Sequence, residues 1–363
     1  MTDDTMYSQP PQHDPAPQAQ PPLYPQAQPQ DYAQAAPAPM QMQAAPQPPD
    51  ASALVARLRA QVEHAVLGQR EVVSQVLAGL LAGGHVLLEG KPGLGKTQLV
   101  LGLAKAFGGI FGRIQFTPDL MPSDVTGFRL FDMKSQTFQL RRGPVFCNLL
   151  LADEINRAPA KTQAALLEVM QERQVTIDGE SLQLSPPFMT LATQNPVEHE
   201  GTYPLPEAQL DRFLMKILID YPDRASESEI VARSAAEVPG DTITKELHVV
   251  ATPEDVVRAQ AATAAVQVVR EVVDYAVAIV QATREAKTVW LGAGTRGAIA
   301  LVRIGKAIAL MHGRNFVIPD DIKAASLPVL RHRVQLAPEV AMGGQSMDEV
   351  LKVIVESVPA PRQ

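Results

Sequence analysis

From position 51 onward the apolar residues follow two different periods. Leu54, Leu58 and Ala65 recur at helical spacing, which predicts a helix beginning near Ala51; Gly68 ends it, and a second helix is expected over about 69–81. Then the period changes. Residues 85–89 (HVLLE) form a short apolar run that stops at Gly90, and similar runs follow at 113–116, 148–152, 188–193 and 215–219. Apolar runs without alternation, separated by helical segments such as 97–107 and 162–171, predict a parallel sheet covered on both faces. The fold class is therefore α/β, with a doubly wound parallel-sheet core over 51–222.

Beyond 222 the strand-like runs cease, and Ala, Val, Glu and Arg fill two long helical stretches, roughly 253–285 and 296–311. A further short helix is expected after Pro319, where Asp320 and Asp321 suit a helix start. This predicts a separate, smaller all-α domain over 223–355, with a short tail at 356–363. Two insertions within the core, 126–142 and 175–184, alternate in polarity, and the second contains an Asp178-Gly179 hairpin turn. Neither is required by the core fold. Residues 1–50 are of another kind: 13 prolines, 11 glutamines, no Lys, Arg, Ile or Val, and Leu23 as the single leucine. Such a segment cannot bury enough apolar surface to offset its ordering entropy, so it is expected to be a disordered tail, with polyproline II character near Pro21 and Pro22.

Composition narrows the class. A chain of 363 residues, 46% of them hydrophobic, has room for about two domains with a sizeable core. The balance of 32 Lys and Arg against 39 Asp and Glu, net charge −7, supplies no global positive field toward nucleic acid or anionic lipid. A single cysteine, Cys147, excludes an internal disulfide framework and a Cys-rich zinc site; set in VFCNLLLADE, it reads as a small buried hydrophobe. The N-terminus MTDDTMYSQP lacks a basic start followed by an apolar run, and no stretch approaches the length of a membrane span, so the expected location is the cytoplasm.

The chemistry concentrates after the first strand-like run. GKPGLGKT meets the pattern GxxxxGK[ST] through Gly90, Gly95, Lys96 and Thr97, and it lies where the mechanism needs it, after a strand and opening a helix. A chance match somewhere in such a chain is on the order of one per cent from average residue frequencies. The candidate phosphate-binding residues are Gly90, Lys91, Pro92, Gly93, Leu94, Gly95, Lys96, Thr97 and the following Gln98. Glycines let backbone N–H groups close around phosphate oxygens, Lys96 would neutralise the β and γ phosphates of ATP, and Thr97 would ligate Mg2+. The run NLLLA ends in Asp153-Glu154, the second half of such a site: Asp153 to hold the metal, Glu154 to orient and deprotonate the attacking water. Alone, an acidic pair after a strand is more often a helix cap; with the phosphate loop it reads as catalytic.

GKPGLGKT, LLLADEINRAPAKTQAALLEVMQERQVTIDG, ATQNP, GTYPLPEAQLDRF and PDDIKAASLPVLRHRV together resemble the MoxR family of AAA+ ATPases over about 54–337. The resemblance implies an AAA+ core followed by a helical lid, and a hexameric ring of identical subunits with ATP between neighbours. It makes Asn195 in ATQNP the sensor-1 residue, Arg212 in LDRF the arginine finger that reaches a neighbour's γ-phosphate, and Arg296 in GAGTRG the sensor-2 residue on the lid. Around Arg296 the chain departs from the family's more usual Gly-Ala-Ser-Pro-Arg. Leu67, Gly68 and Gln69 fall where the family contacts adenine, and the two insertions resemble the helix-2 insert and the pre-sensor hairpin, which contact substrate in related rings. The function implied is an ATP-driven remodelling chaperone acting on a protein client, commonly with a partner carrying a von Willebrand factor A domain. Two rivals remain at this point. A nucleic-acid motor is disfavoured by the lack of Lys, Arg or aromatic residues in VTIDGESLQL but retains Arg141-Arg142 in the other insertion. The other rival is a motor subunit of a metal-chelatase complex.

Overall fold

Five short strands form one parallel sheet in the order β2-β5-β8-β1-β9: β1 (Val86–Gly90), β2 (Phe111–Gln115), β5 (Leu149–Asp153), β8 (Met189–Gln194) and β9 (Met215–Ile219). The structure, a computed structural model, describes residues 51–91, 93–195, 202–236 and 246–361. The tail expected over 1–50 and Pro92 of the phosphate loop lie outside the described residues. Alternation along the strands explains why their sequences are apolar throughout. Leu88, Leu149 and Leu151 face one buried cluster, whereas Leu87, Leu150 and Ala152 face another, so successive side chains enter cores on opposite sides of the sheet.

The first cluster is covered by α1 (Ala51–Ala65), α2 (Arg70–Leu81) and α3 (Lys96–Ala106); the second by the helix Ala160–Glu172. Between them run two antiparallel hairpins. β3 (Gly127–Asp132) pairs with β4 (Thr137–Arg142), and β6 (Gln174–Ile177) pairs with β7 (Glu180–Gln183). Asp178 and Gly179 turn the second hairpin with φ of 49° and 81°, the left-handed pair a two-residue turn requires. Arg129 of β3 pairs with Glu180 of β7, linking the hairpins. Cys147 is buried, and desolvation pushes its thiol up to about 12, so it behaves as an unreactive apolar residue.

The C-terminal part differs from the sequence expectation in two ways. The stretch 253–285 is two helices, Pro253–Ala265 and Arg270–Glu285. They part at 266–269 because Gln267 bonds across to the segment at 315–317, its N–H donating to Asn315 O at 2.9 Å and its carbonyl accepting from Val317 N at 3.0 Å. Strand structure also recurs, in a small ribbon of β10 (Val289–Leu291) and β11 (Gln335–Leu336). The C-terminal helices dock on the core: Leu301 and Ile304 of Thr295–Met311, Val329 and Leu330 of Pro319–Leu330, and Leu351 of Met347–Ser357 belong to the same buried cluster as α1 and α2. Their starts follow local rules. Thr252 and Asp255 form a capping box, as do Ser346 and Glu349, and Asp321 accepts from Ile318 N at 2.9 Å.

His85 fastens the lower end of the sheet. Its Nε2 donates to Met170 O at 2.8 Å, its Nδ1 accepts from Thr190 N at 2.9 Å, and the ring packs edge-on against Phe188. Both ring nitrogens are used by the neutral tautomer, and burial lowers the pKa to about 4 from 6.5. The unfolded chain therefore binds a proton that the folded chain refuses, so stability is lost as pH falls below 6.5 and continues to fall toward about 4. Between pH 6.5 and 5 the loss from this residue is about 2 kcal/mol. Denaturant unfolding of wild type and His85→Gln across that range is expected to show a shallower pH dependence in the variant; parallel curves would contradict the assignment.

Candidate functional site

The candidate phosphate-binding loop leaves β1 at Gly90, where a Cβ would lie 2.5 Å from the Ile219 carbonyl oxygen of β9, so only glycine fits. Gly93 and Gly95 take φ of +82° and +78°, and a Cβ on Gly93 would meet nothing within 4 Å: the loop turns through left-handed backbone around open space. Gly95 is the N-cap of α3, so Lys96 and Thr97 begin the helix and its unpaired N–H groups face that space. Lys96 donates to Gly90 O, and its half-buried ammonium has a lowered pKa through desolvation, opposed by Asp153, Glu154 and Glu89. An anionic ligand would compensate this desolvated cation.

Because β8 lies between β5 and β1, the carboxyl ends of all three strands deliver side chains to one cavity of about 280 Å³. Gly93, Leu94, Gly95, Lys96, Thr97 and Gln98 line it from the loop and α3; Arg113, Asp153, Glu154, Thr193 and Asn195 line it from the strands and their ends. Thr193 connects the acidic pair: its Oγ1 donates to Asp153 Oδ1 at 2.7 Å and accepts from Glu154 N at 2.9 Å. Glu154 itself is left-handed, φ 56° and ψ 50°, a conformation costing a non-glycine residue about 1–2 kcal/mol and held here by its surroundings.

Neither carboxylate is free. Asp153 Oδ2 pairs with Arg113 at 2.9 Å, and Glu154 Oε2 accepts from Gln115 Nε2 and from Arg157 Nε, each at 2.9 Å. Arg113, Gln115, Arg157 and Thr193 did not emerge from sequence reasoning. Arg113 and Gln115 share a face of β2, but their place beside Asp153 follows from the pairing of β2 with β5, in which Gln115 is level with Asp153. Among the described residues no group of three or more His, Cys, Asp or Glu side chains could form an all-protein metal cage. A hydroxyl and one carboxylate beside a phosphate cradle is instead the donor set suited to Mg2+ shared with a nucleotide.

Other sequence candidates lie elsewhere. Lys91 places its ammonium 4.9 Å from the centre of the Tyr221 ring. Gln69 is buried, its amide donating to Asp220 O at 2.7 Å, while Gly68 (φ +73°) packs against Pro222 and Ser226. Arg212 and Arg296 line a second cavity, of about 320 Å³, together with His85, Asp211, Leu214 and further arginines. His85 and Leu214 precede β1 and β9, so this cleft is at the opposite end of the sheet, separated from the phosphate cavity by a five-residue strand, about 16 Å. Arg296 Nη1 contacts Asp211 Oδ2 at 3.3 Å; among the described residues Arg212 makes no ion pair.

Residues 85–215 match the model of the ATPase family associated with various cellular activities (AAA), and 281–353 match that of the AAA lid domain. The chain is 45% identical over 314 residues to YeaC of Bacillus subtilis, covering 86% of this chain and 97% of that one. It is 42% identical over 311 residues to the chaperone MoxR1 of Mycobacterium tuberculosis, covering 83% and 81%, and 30% identical over 327 residues to the protein MoxR of Methylorubrum extorquens, covering 84% and 95%. A crystal structure of a candidate ATPase from Cytophaga hutchinsonii superposes with a TM-score of 0.78 at 40% identity, covering 86% of this chain and 96% of that chain.

Proposed function

Because the chain belongs to the MoxR family of AAA+ ATPases, we propose that it is an ATP-driven remodelling chaperone whose hydrolytic site is completed by a neighbouring copy in a hexameric ring. The reading is carried by the division of polar machinery between the two ends of one sheet. Lys96, Thr97, Asp153, Glu154 and Asn195 gather at the carboxyl end, whereas Arg212 and Arg296 line the cleft at the amino end, out of reach of their own phosphate cavity. A head-to-tail contact brings one copy's arginine cleft to the next copy's phosphate cavity, and repetition with closure gives a ring.

In this site Lys96 holds the β and γ phosphates and Thr97 with Asp153 holds Mg2+. The metal supplies charge neutralisation at the phosphates when bound. Glu154 takes the proton of the attacking water, Asn195 orients that water, and the neighbour's Arg212 and Arg296 stabilise charge on the leaving and transferred groups. The protein client and a partner carrying a von Willebrand factor A domain rest on family kinship, which includes a relative named as a chaperone. No helix among the described residues is long and apolar enough to cross a membrane.

One observation favours a second reading, a nucleic-acid motor. The β3–β4 hairpin exposes Phe128, Phe131 and Phe138 beside Arg141 and Arg142, the aromatic and basic mixture that stacks bases and pairs phosphates. Turnover stimulated by single-stranded DNA would favour it over the chaperone.

Two measurements test the main reading. Lys96→Ala is expected to weaken ATP binding by about an order of magnitude or more while leaving the melting temperature near wild type, because it removes a charge-assisted phosphate contact and only one internal bond. Unchanged affinity in a nucleotide titration would remove the site. The ring is tested by mixing: Arg212→Ala and Glu154→Gln subunits, each nearly inactive alone, should recover part of the activity when co-assembled, since some interfaces then pair an intact Glu154 with a neighbour's intact Arg212. Absence of recovery in mixed rings shown to form would exclude action across the interface.

A further inference from the structure

Arg333 reaches the loop that carries Arg212 from the far side of the chain, 122 residues away. Its side chain is only 4% exposed, and every one of its five N–H groups has an acceptor. Nε donates to Asp211 Oδ1 at 2.8 Å; Nη2 donates to Asp211 O at 3.3 Å and Phe213 O at 2.6 Å; Nη1 donates to Leu214 O at 3.1 Å and to Val329 O. The residues on both sides of Arg212 are thus tied to one planar guanidinium. The second oxygen of Asp211 receives Arg296 Nη1 at 3.3 Å, so a single carboxylate joins Arg333 to Arg296 as well.

We propose that Arg333 is a positioning residue that sets Arg212 and Arg296 in register for the neighbouring copy's phosphates, through the Asp211 carboxylate and the 211–214 backbone. It is not itself a phosphate ligand: with no N–H to spare and almost no exposed surface, it has nothing to offer an incoming anion. The adjoining residues complete the seat. His332 Nε2 donates to Phe213 O at 3.0 Å, and Arg331 bonds Lys216 O at 3.1 Å while forking onto Asp348 at 3.0 and 2.8 Å. The lid is fastened to the start of β9 by three consecutive side chains, and the arginine pair moves with that fastening.

The proposal rests on the reading that Arg212 and Arg296 act across the interface, and its experiment separates the two. Arg333→Lys keeps the charge but offers three donors on a flexible stem in place of a five-donor fork. Its ATP affinity is expected to stay within about threefold of wild type, since the phosphate cavity is untouched, while turnover falls roughly 10²-fold, the scale of a catalytic group displaced by about 1 Å. Mixed with Glu154→Gln subunits, Arg333→Lys subunits should recover activity; mixed with Arg212→Ala subunits they should not, because no interface then has an intact arginine cleft. Should Arg333→Lys fail to fold, Asp211→Asn, which keeps the shape and removes the shared charge, is expected to give the same pattern. Recovery with Arg212→Ala subunits, no recovery with either partner in rings shown to form, or wild-type turnover would each overturn the proposal. If the control pair of Arg212→Ala with Glu154→Gln fails to recover, the interface reading falls and this inference with it; if the control recovers and Arg333→Lys does not behave as stated, this inference alone falls.

Discussion

Arg212→Ala rings are expected to bind ATP as wild type does and to turn it over about 10³- to 10⁵-fold more slowly, the range over which arginine fingers act. The size follows from where the charge is needed. Glu154 can remove a proton from water and Lys96 can neutralise ground-state phosphate, while Arg113, the other cation of that cavity, is paired with Asp153; on the proposed reading, charge that grows on the transferred group is met by a donor from the neighbouring copy. A surface ion pair would be the ordinary alternative role for this arginine, worth about 0–1 kcal/mol. Among the described residues Arg212 makes no such pair with its two nearest carboxylates in sequence. Asp211 is taken by Arg333 and Arg296, and Glu207 accepts from Gln335. Nucleotide titration and steady-state phosphate release on the same preparation check the prediction; turnover within a few-fold of wild type would return Arg212 to a surface role.

Glu154→Gln and Asp153→Asn should fail in different ways. Glu154→Gln is expected to retain ATP and lose turnover by about 10²- to 10⁴-fold, the contribution of a positioned general base. The amide keeps the shape of the carboxylate and can still accept from Gln115, and the left-handed backbone at Glu154 is held by the bond from its N–H to Thr193, which the substitution does not touch. What is lost is basicity. Asp153→Asn removes the charge that Arg113 balances in this structure and that would hold the metal in the loaded site, so its turnover should also lose its dependence on magnesium. A magnesium titration of both variants separates the roles. Comparable turnover in wild type and Glu154→Gln, or an unaltered magnesium profile in Asp153→Asn, would contradict the assignments.

The features that could be read directly are those whose cause is local. A phosphate loop is contiguous: its glycines, lysine and threonine lie within eight residues, and their backbone conformations follow from residue type, as φ of +82° at Gly93 and +78° at Gly95 attest. The continuous apolar runs announced strands buried on both faces, because each residue along such a strand enters one core or the other, as Leu87 and Leu88 do. Asp178-Gly179 carried its turn in the same way, and Thr252 with Asp255 its helix start.

What escaped depends on which distant elements become neighbours. Arg113 and Gln115 reach the acidic pair only because β2 is paired with β5, and no periodicity within either strand encodes that order. The break at 266–269 contains neither glycine nor proline; it exists because Gln267 bonds to the 315–317 segment instead of continuing a helix. Arg333 looks like one more charge in RHRV, yet it is buried with all five donors spent on residues more than a hundred positions earlier and on Val329 of the helix that precedes it. The sequence by itself determined the five strands of the central sheet, the glycine-rich loop after the first of them and the acidic pair after the third, since propensity and contiguous motifs act over a few residues. Only the tertiary structure decided that the cavity at Lys96 and the cleft at Arg212 and Arg296 lie at opposite ends of one sheet, because strand order and lid docking are fixed by burial and hydrogen bonding between segments that are far apart in sequence.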